Sequence, residues 1–152
     1  MKLGVLFDDF LKSDKNYYMM KEMNEYVARE SDNICAFLTN MSHKVIPSNF
    51  GYMNISDISH FDNGVLVATT INTADALNKS SCKSKRVLYL WDFEWAGKAF
   101  NFPVIHKILS NKNLSIVVRT KLQSDILKHN FNINVDNIQE EFNLEQLNEV
   151  CT

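Results

Sequence analysis

Glycine is scarce in this sequence, and its scarcity excludes the common ways of cradling a phosphate. The four glycines are Gly4, Gly51, Gly64 and Gly97. Their spacing fits neither a Gly-x-Gly-x-x-Gly turn nor a Walker loop, in which glycines let the backbone approach the phosphates. We therefore expect neither a nicotinamide cofactor nor a nucleoside triphosphate bound in its usual mode, and we predict no cofactor.

Cysteine and histidine are also few and scattered. The cysteines are Cys35, Cys82 and Cys151, and the histidines are His43, His60, His106 and His129. A disulfide framework or a zinc knuckle needs cysteine pairs at short spacing, and the histidines show no metal-ligand spacing. We therefore predict no metal site.

Charge of neither sign dominates the chain, which has a net charge of −2 and a pI near 6.1. Such a balance provides no field that would attract nucleic acid or anionic lipid, so we expect no nucleic-acid partner. The first apolar run, 3–7, meets Asp8 and Asp9 at once and is too short for a signal peptide or a membrane span. We therefore expect a cytoplasmic protein with no membrane span.

What the sequence does contain is typical of a folded globular protein. Hydrophobic residues make up 45% of the 152 residues and charged residues 22%. A chain of this length can bury one substantial core, so we predict a single domain, 1–152.

Apolar runs of strand length alternate along the chain with stretches of helical periodicity. The predicted strands are 2–7, 33–39, 64–70, 86–91, 114–119 and 133–138, with 43–46 as a candidate edge strand. The predicted helices are 15–29, 72–79, 103–110, one that begins at Thr120 and one that follows Asn143. Gln123 and Gln146 stand three residues after these two helix starts, the spacing of a capping box. Between residues 48 and 61 the pattern is weak, and Ile55 and Ile58 indicate only one helical turn.

This alternation predicts an α/β fold with a doubly wound, mostly parallel, Rossmann-like sheet and helices on both faces. In such sheets, ligands bind beyond the carboxyl ends of the strands. The polar residues that follow the predicted strands are Asp8, Asp9, Thr69, Thr70, Asp92, Glu94, Arg119 and Thr120.

Asp8 and Asp9 form an adjacent pair of carboxylates after the first strand. Such a pair can hold Mg²⁺ in a phosphoryl-transfer site, or it can be an acidic loop that begins the next helix, which we favour. A receiver domain would need a phosphoacceptor Asp after the third strand, and none is convincing. A haloacid-dehalogenase-like phosphatase would need an Asp at position 10, which is Phe10.

The segment Trp91-Asp92-Phe93-Glu94-Trp95 is the most unusual local sequence. Two indole rings beside two carboxylates are suited to stacking on a sugar ring and bonding its hydroxyls. In the alternative interpretation, which we favour, the aromatic rings cap the core at a strand end and the acids point to water.

The second half of the chain carries a longer pattern. A strand, Ile116-Val117-Val118-Arg119-Thr120, leads into a helix, Gln123-Ser124-Asp125-Ile126-Leu127, and then to Asn130-Phe131. The segments Val135-Asp136-Asn137-Ile138 and Phe142-Asn143-Leu144 complete it. From Arg86 onward this resembles the N-terminal domain of GT-B glycosyltransferases, and Trp91-Asp92-Phe93-Glu94-Trp95 looks like the acidic segment that some of them carry after the preceding strand. The loop 8–15 departs from the family because it lacks glycines.

The resemblance implies an acceptor-binding half, because the second domain of these enzymes binds the nucleotide-sugar donor. We expect a carbohydrate acceptor and a donor-binding partner chain or homo-oligomer. Asp92 or Glu94 would be the general base that deprotonates the acceptor hydroxyl. The residues expected to bind the substrate are Asp8, Asp9, Thr70, Trp91, Trp95, Arg119 and Thr120.

Two other functions stay open at this point. One is a non-catalytic interaction or regulatory module with a flavodoxin-like or receiver-like sheet. The other is a scaffold that forms an oligomer through its aromatic rim.

Overall fold

Strands and helices alternate throughout the structure, a computed structural model that describes residues 2–9, 13–30, 33–40, 47–96 and 101–150. The strands are β1 (Lys2–Phe7), β2 (Asn33–Leu38), β3 (Gly51–Asn54), β4 (Val65–Ala68), β5 (Lys85–Leu90), β6 (Leu114–Val118) and β7 (Asn137–Ile138). The α-helices are α1 (Asp14–Arg29), α2 (Ile71–Lys79), α3 (Phe102–Leu109), α4 (Lys121–Phe131) and α5 (Leu144–Glu149), and a 3₁₀ helix spans Ile55–His60.

The strands form one seven-stranded sheet in the order β3-β2-β1-β4-β5-β6-β7, and all its pairings are parallel. The chain runs outward from β1 through β2 to β3, returns to β4 on the other side of β1, and continues outward to β7. The first six strands therefore have the Rossmann order 3-2-1-4-5-6. The order reverses between β1 and β4.

Helices cover both faces of the sheet, as the sequence predicts. Met19, Met20 and Met23 of α1 and Leu147 of α5 pack on one face. The opposite face is covered by apolar residues of α2, α3 and α4: Ala74, Leu77, Ile105, Ile108, Leu109, Leu127 and Phe131. Strand side chains alternate between the two layers, with Leu6 facing α2–α4 and Val5 facing α1 and α5. The fold is thus doubly wound and Rossmann-like.

Two of the helix starts were correctly placed by their polar caps. Thr120 caps α4, and its hydroxyl and the Gln123 side chain bond each other's backbone N–H, so the capping box is confirmed. Asn143 caps α5 and accepts from the backbone N–H of Gln146. The Gln146 carboxamide oxygen accepts from Gln139 instead, so only half of the second box forms.

The structure corrects the prediction at two places. Residues 51–54 form the edge strand β3, where we predicted no strand, and the 3₁₀ helix follows it. The final strand has two residues, not the predicted 133–138. The candidate edge strand at 43–46 lies outside the described residues. Within the described ranges, no helix is both long enough and apolar enough to span a membrane.

Candidate functional site

The carboxyl ends of β1, β4 and β5 bring several of the predicted residues together. At the reversal point, the Thr69 hydroxyl donates to the carbonyl oxygen of Leu6 at 2.7 Å, which ties the end of β4 to β1. Asp8 follows β1, and its carbonyl oxygen accepts from the backbone N–H of Asn40 at 3.0 Å. The loops after the central strands therefore start from a fixed edge.

Asp9 and Thr70 both have local structural partners. The carbonyl oxygen of Asp9 accepts from Asn16 in the first turn of α1. Thr70 is buried and caps α2 through a reciprocal hydrogen-bond arrangement with Thr73. In the part of the chain that the structure describes, no group of three or more acidic, histidine or cysteine side chains is arranged to hold a metal ion.

Glu94 occupies the N-terminus of α2. Its Oε1 accepts a 2.7 Å hydrogen bond from the backbone N–H of Ile71, the first residue of that helix. A helix N-terminus presents unpaired N–H groups and a partial positive charge, which favours a carboxylate there. The sequence places Glu94 four residues beyond the end of β5, so the loop after β5 folds back over the end of β4.

Lys15 links Glu94 to Asp92. Its Nζ lies 3.5 Å from Oε2 of Glu94 and 4.0 Å from Oδ1 of Asp92. The Lys15 side chain is only 18% exposed, whereas that of Asp92 is 54% exposed. The lysine comes from the first turn of α1, so this cluster joins three separate parts of the chain: α1, the loop after β5 and the start of α2.

Burial raises the pKa of Glu94 above its ordinary value of 4.5, and the charges of Asp8 and Asp92 act in the same direction. The hydrogen bond from Ile71 and the charge of Lys15 oppose this rise. Asp8, Asp92 and Glu94 therefore belong to one electrostatic cluster. A carboxylate whose pKa is raised and whose orientation is fixed by a hydrogen bond is suited to accepting a proton.

Trp91 and Arg119 pack against each other, and Trp91 belongs to the layer under α1 and α5. The Arg119 guanidinium lies over the indole ring of Trp91, 4.0 Å from its centroid, and its Nε donates to the carbonyl oxygen of Glu140. Tyr18 contacts the same indole ring with centroids 5.5 Å apart. The Gln123 side chain donates to the carbonyl oxygen of Trp91 and so joins this group to the start of α4. The face of the Trp91 ring is therefore in contact with the Arg119 guanidinium.

Trp95 lies on the opposite face from Trp91. It belongs to the cluster under α2, α3 and α4, whereas Trp91 packs against the cluster under α1 and α5. The residue is only 8% exposed, and its ring meets Phe93 edge-on with centroids 5.3 Å apart. The two tryptophans therefore do not form one platform.

A groove between α2 and α3, with a volume of about 320 Å³, opens beside Trp95. Its polar lining comes from four residues: Asn72, Asp75, Glu94 and Asn101. Its apolar lining comes from five: Ile71, Trp95, Val104, Ile105 and Ile108. Carboxylate and amide groups here surround an apolar wall that includes an aromatic ring. We call this the polar groove.

The structure thus brings together only some of the predicted site residues. Asp8, Asp92 and Glu94 form one cluster, with Trp95 beside Glu94 in the wall of the polar groove. Trp91 packs with Arg119 in the layer under α1 and α5, and Gln123 joins this pair to Thr120. Asp9 and Thr70 make hydrogen bonds at the starts of α1 and α2.

Sequence reasoning missed four polar residues of this site: Lys15, Asn72, Asp75 and Asn101. Asn72 and Asp75 are three residues apart in the first turns of α2, so their spacing in a helix after a strand was the available signal.

The strand order and the helices on both faces define the chain as a Rossmann-like α/β protein. Comparison with protein families, with curated proteins and with solved structures finds no match to this chain.

Proposed function

We propose that this chain binds a carbohydrate acceptor in the polar groove and acts as the acceptor-side half of a GT-B-like glycosyltransferase. A donor-binding partner chain would supply the nucleotide sugar. The observation that carries the proposal is the composition of the groove, in which Trp95 is a lining residue together with Glu94, Asn72, Asp75 and Asn101.

This composition suits a sugar for two reasons. The C–H faces of a pyranose ring are apolar and pack on an aromatic wall, while the hydroxyls around its rim need directional hydrogen-bond partners. Carboxylates accept from hydroxyls, and amide groups both donate and accept. A groove of about 320 Å³ is at the lower end of the range for small-molecule sites, about 300–1,000 Å³.

The N-termini of α1 and α2 favour the acceptor side over the donor side. A nucleotide phosphate commonly binds at a helix N-terminus after a strand. Here Glu94 and Thr70 fill that position on α2, while the first helical residue of α1 is Asp14, an acid that repels an anion. These groups support binding of a neutral, hydroxyl-rich ligand.

Glu94 is the better of the two candidate general bases. It lines the groove, Ile71 fixes its orientation, and burial raises its pKa, whereas Asp92 is more exposed. In the transfer step, its carboxylate would take the proton from the acceptor hydroxyl as that oxygen bonds to the anomeric carbon of the donor sugar. The bond from that carbon to the phosphate oxygen would break, and the nucleotide would leave with the electron pair, held by the partner chain. In an assembled transferase, we expect Glu94→Gln to lower kcat and Asp92→Asn to keep it.

Calorimetric titration of the purified chain with a panel of mono- and oligosaccharides tests the binding. We expect Asp75→Asn to weaken the binding on the order of tenfold, since a hydrogen bond to a charged group contributes about 1.5–3 kcal/mol. Asp125→Asn is the matched control, because both acids pair with a lysine four residues away and only Asp75 lines the groove.

Two results would contradict the proposal. Equal effects of the two variants would place the sugar elsewhere. A response to Mg²⁺ with a phosphoryl mimic, and none to sugars, would favour the regulatory module with its ligand at Asp8 and Asp9.

A further inference from the structure

A second groove adjoins the polar groove and differs from it in chemistry. It lies between α3 and α4 and also has a volume of about 320 Å³. Its lining residues are Phe93, Trp95, Ala96, Phe102, Ile105, Ile126, Asn130 and Phe131. Asn130 is the polar member of this set. We call this the aromatic groove.

The two grooves share a wall. Trp95 and Ile105 line both of them, so one side of this pair faces amides and carboxylates and the other faces aromatic rings. The N-terminal turn of α3 also borders both, with Asn101 in the polar groove and Phe102 in the aromatic one. A single molecule that crosses this wall would have a hydroxylated part and an apolar part.

The aromatic groove keeps apolar surface open to solvent. Phe102 is 42% exposed although it stacks on Phe131, with centroids 4.6 Å apart and an interplanar angle of 24°. Val104, two residues on, is 59% exposed and lines the polar groove. An apolar group that covers Phe102 would remove this surface from water, which is favourable in proportion to the area buried.

We propose that the acceptor is an amphipathic glycoside, with its sugar in the polar groove and an aromatic or alkyl aglycone in the aromatic groove. This inference rests on the proposed function, because it assigns the chemical class of the acceptor at that same site. The observation that carries it is the adjacency of the two grooves, which lie on either side of a wall formed by Trp95 and Ile105.

Paired ligands test the inference. The methyl and phenyl glycosides of one sugar are titrated against the chain by calorimetry, together with phenol alone. We expect the phenyl glycoside to bind at least tenfold more tightly than the methyl glycoside. Phe102→Ser should remove most of that gain. Leu122→Ser should keep it, because Leu122 is an exposed apolar residue of α4, 69% exposed, that does not line either groove.

The possible outcomes separate this inference from the proposed function. Equal affinities for the two glycosides would overturn the inference and leave the carbohydrate site standing. Phenol binding as tightly as the phenyl glycoside would show that the sugar contributes nothing, which overturns both. Self-association of the chain that Phe102→Ser abolishes, measured by sedimentation, would assign the aromatic groove to an interface and overturn the inference alone.

Discussion

The backbone N–H of Ile71 donates to the Glu94 carboxylate at 2.7 Å, so an acid from the loop after β5 stabilises the start of the helix that follows β4. This contact crosses the boundary between two βα units. It fixes the position of Glu94 in the wall of the polar groove and connects the stability of the fold to the proposed site.

Two replacements of Glu94 distinguish the effect of its hydrogen bond on stability from the effect of its charge. Glu94→Ala removes the acceptor for Ile71 and should lower the free energy of unfolding by about 1–2 kcal/mol, as the loss of a helix cap does. Glu94→Gln keeps an oxygen that accepts from Ile71 and should lose little or nothing. Urea denaturation monitored by circular dichroism measures both. Equal losses in the two variants would show that the charge, and not the hydrogen bond, stabilises α2.

The pH dependence of stability should carry the signature of Glu94. Because its pKa is raised in the folded state above the ordinary 4.5, the folded protein binds more protons than the unfolded chain just above pH 4.5. The contribution of Glu94 protonation to the free energy of unfolding is fully present below pH 4.5. It is lost as the pH rises through the folded-state pKa of Glu94. As the pH rises over this range, we expect wild type to lose free energy of unfolding relative to Glu94→Gln, which cannot titrate at this position. A difference that moves in favour of wild type would contradict the burial of the carboxylate.

The close packing of β1 can be tested at Gly4. A Cβ there would lie 2.6 Å from Cδ2 of Leu66 and 2.7 Å from Cε2 of Phe37. Gly4→Ala should therefore cost about 1–3 kcal/mol through overpacking. Gly51→Ala is the control, because a Cβ at this strand residue meets nothing within 4 Å. Thermal unfolding that is equal for the two variants would contradict the register of β2, β1 and β4.

Tyr89 ties β5 to the segment after β7. Its buried hydroxyl has a single proton, which it shares between the carbonyl oxygens of Gln139 at 3.2 Å and Glu140 at 3.4 Å. Tyr89→Phe should destabilise the fold by about 1 kcal/mol, because this shared hydrogen bond is lost. Tyr17→Phe, at a residue that is 61% exposed, should change nothing measurable. Denaturant midpoints that coincide for the two variants would show that these hydrogen bonds contribute nothing.

Most of the sheet could be predicted because buried parallel strands are continuous apolar runs. Strand β3 escaped because it is an edge strand with exposed residues and no such run: Gly51 and Asn54 are exposed, and Tyr52 is half-buried. The prediction for the last strand was too long, because Asp136 interrupts the predicted run 133–138. Its carboxylate accepts from the backbone N–H of Ile116 at 2.6 Å, and its own N–H donates to the carbonyl oxygen of the same residue.

The residues at the carboxyl edge of the sheet could be predicted, but the directions of their side chains could not. Strand ends locate Asp8, Asp92 and Glu94, since parallel strands share one carboxyl edge. The directions of the tryptophans depend on the turn at 94–96, which carries Trp95 to the face opposite Trp91. Lys15 reaches the cluster from another part of the chain, and no local pattern indicates such a contact.

The chain contains two tryptophans, so their indole N–H signals provide the most direct test of the proposed site. We would titrate ¹⁵N-labelled protein with the phenyl glycoside and follow both signals by NMR. We expect the Trp95 signal to shift in a saturable manner while the Trp91 signal, on the opposite face of the sheet, stays in place. A shift confined to Trp91, or no shift of either signal, would contradict carbohydrate binding in the polar groove.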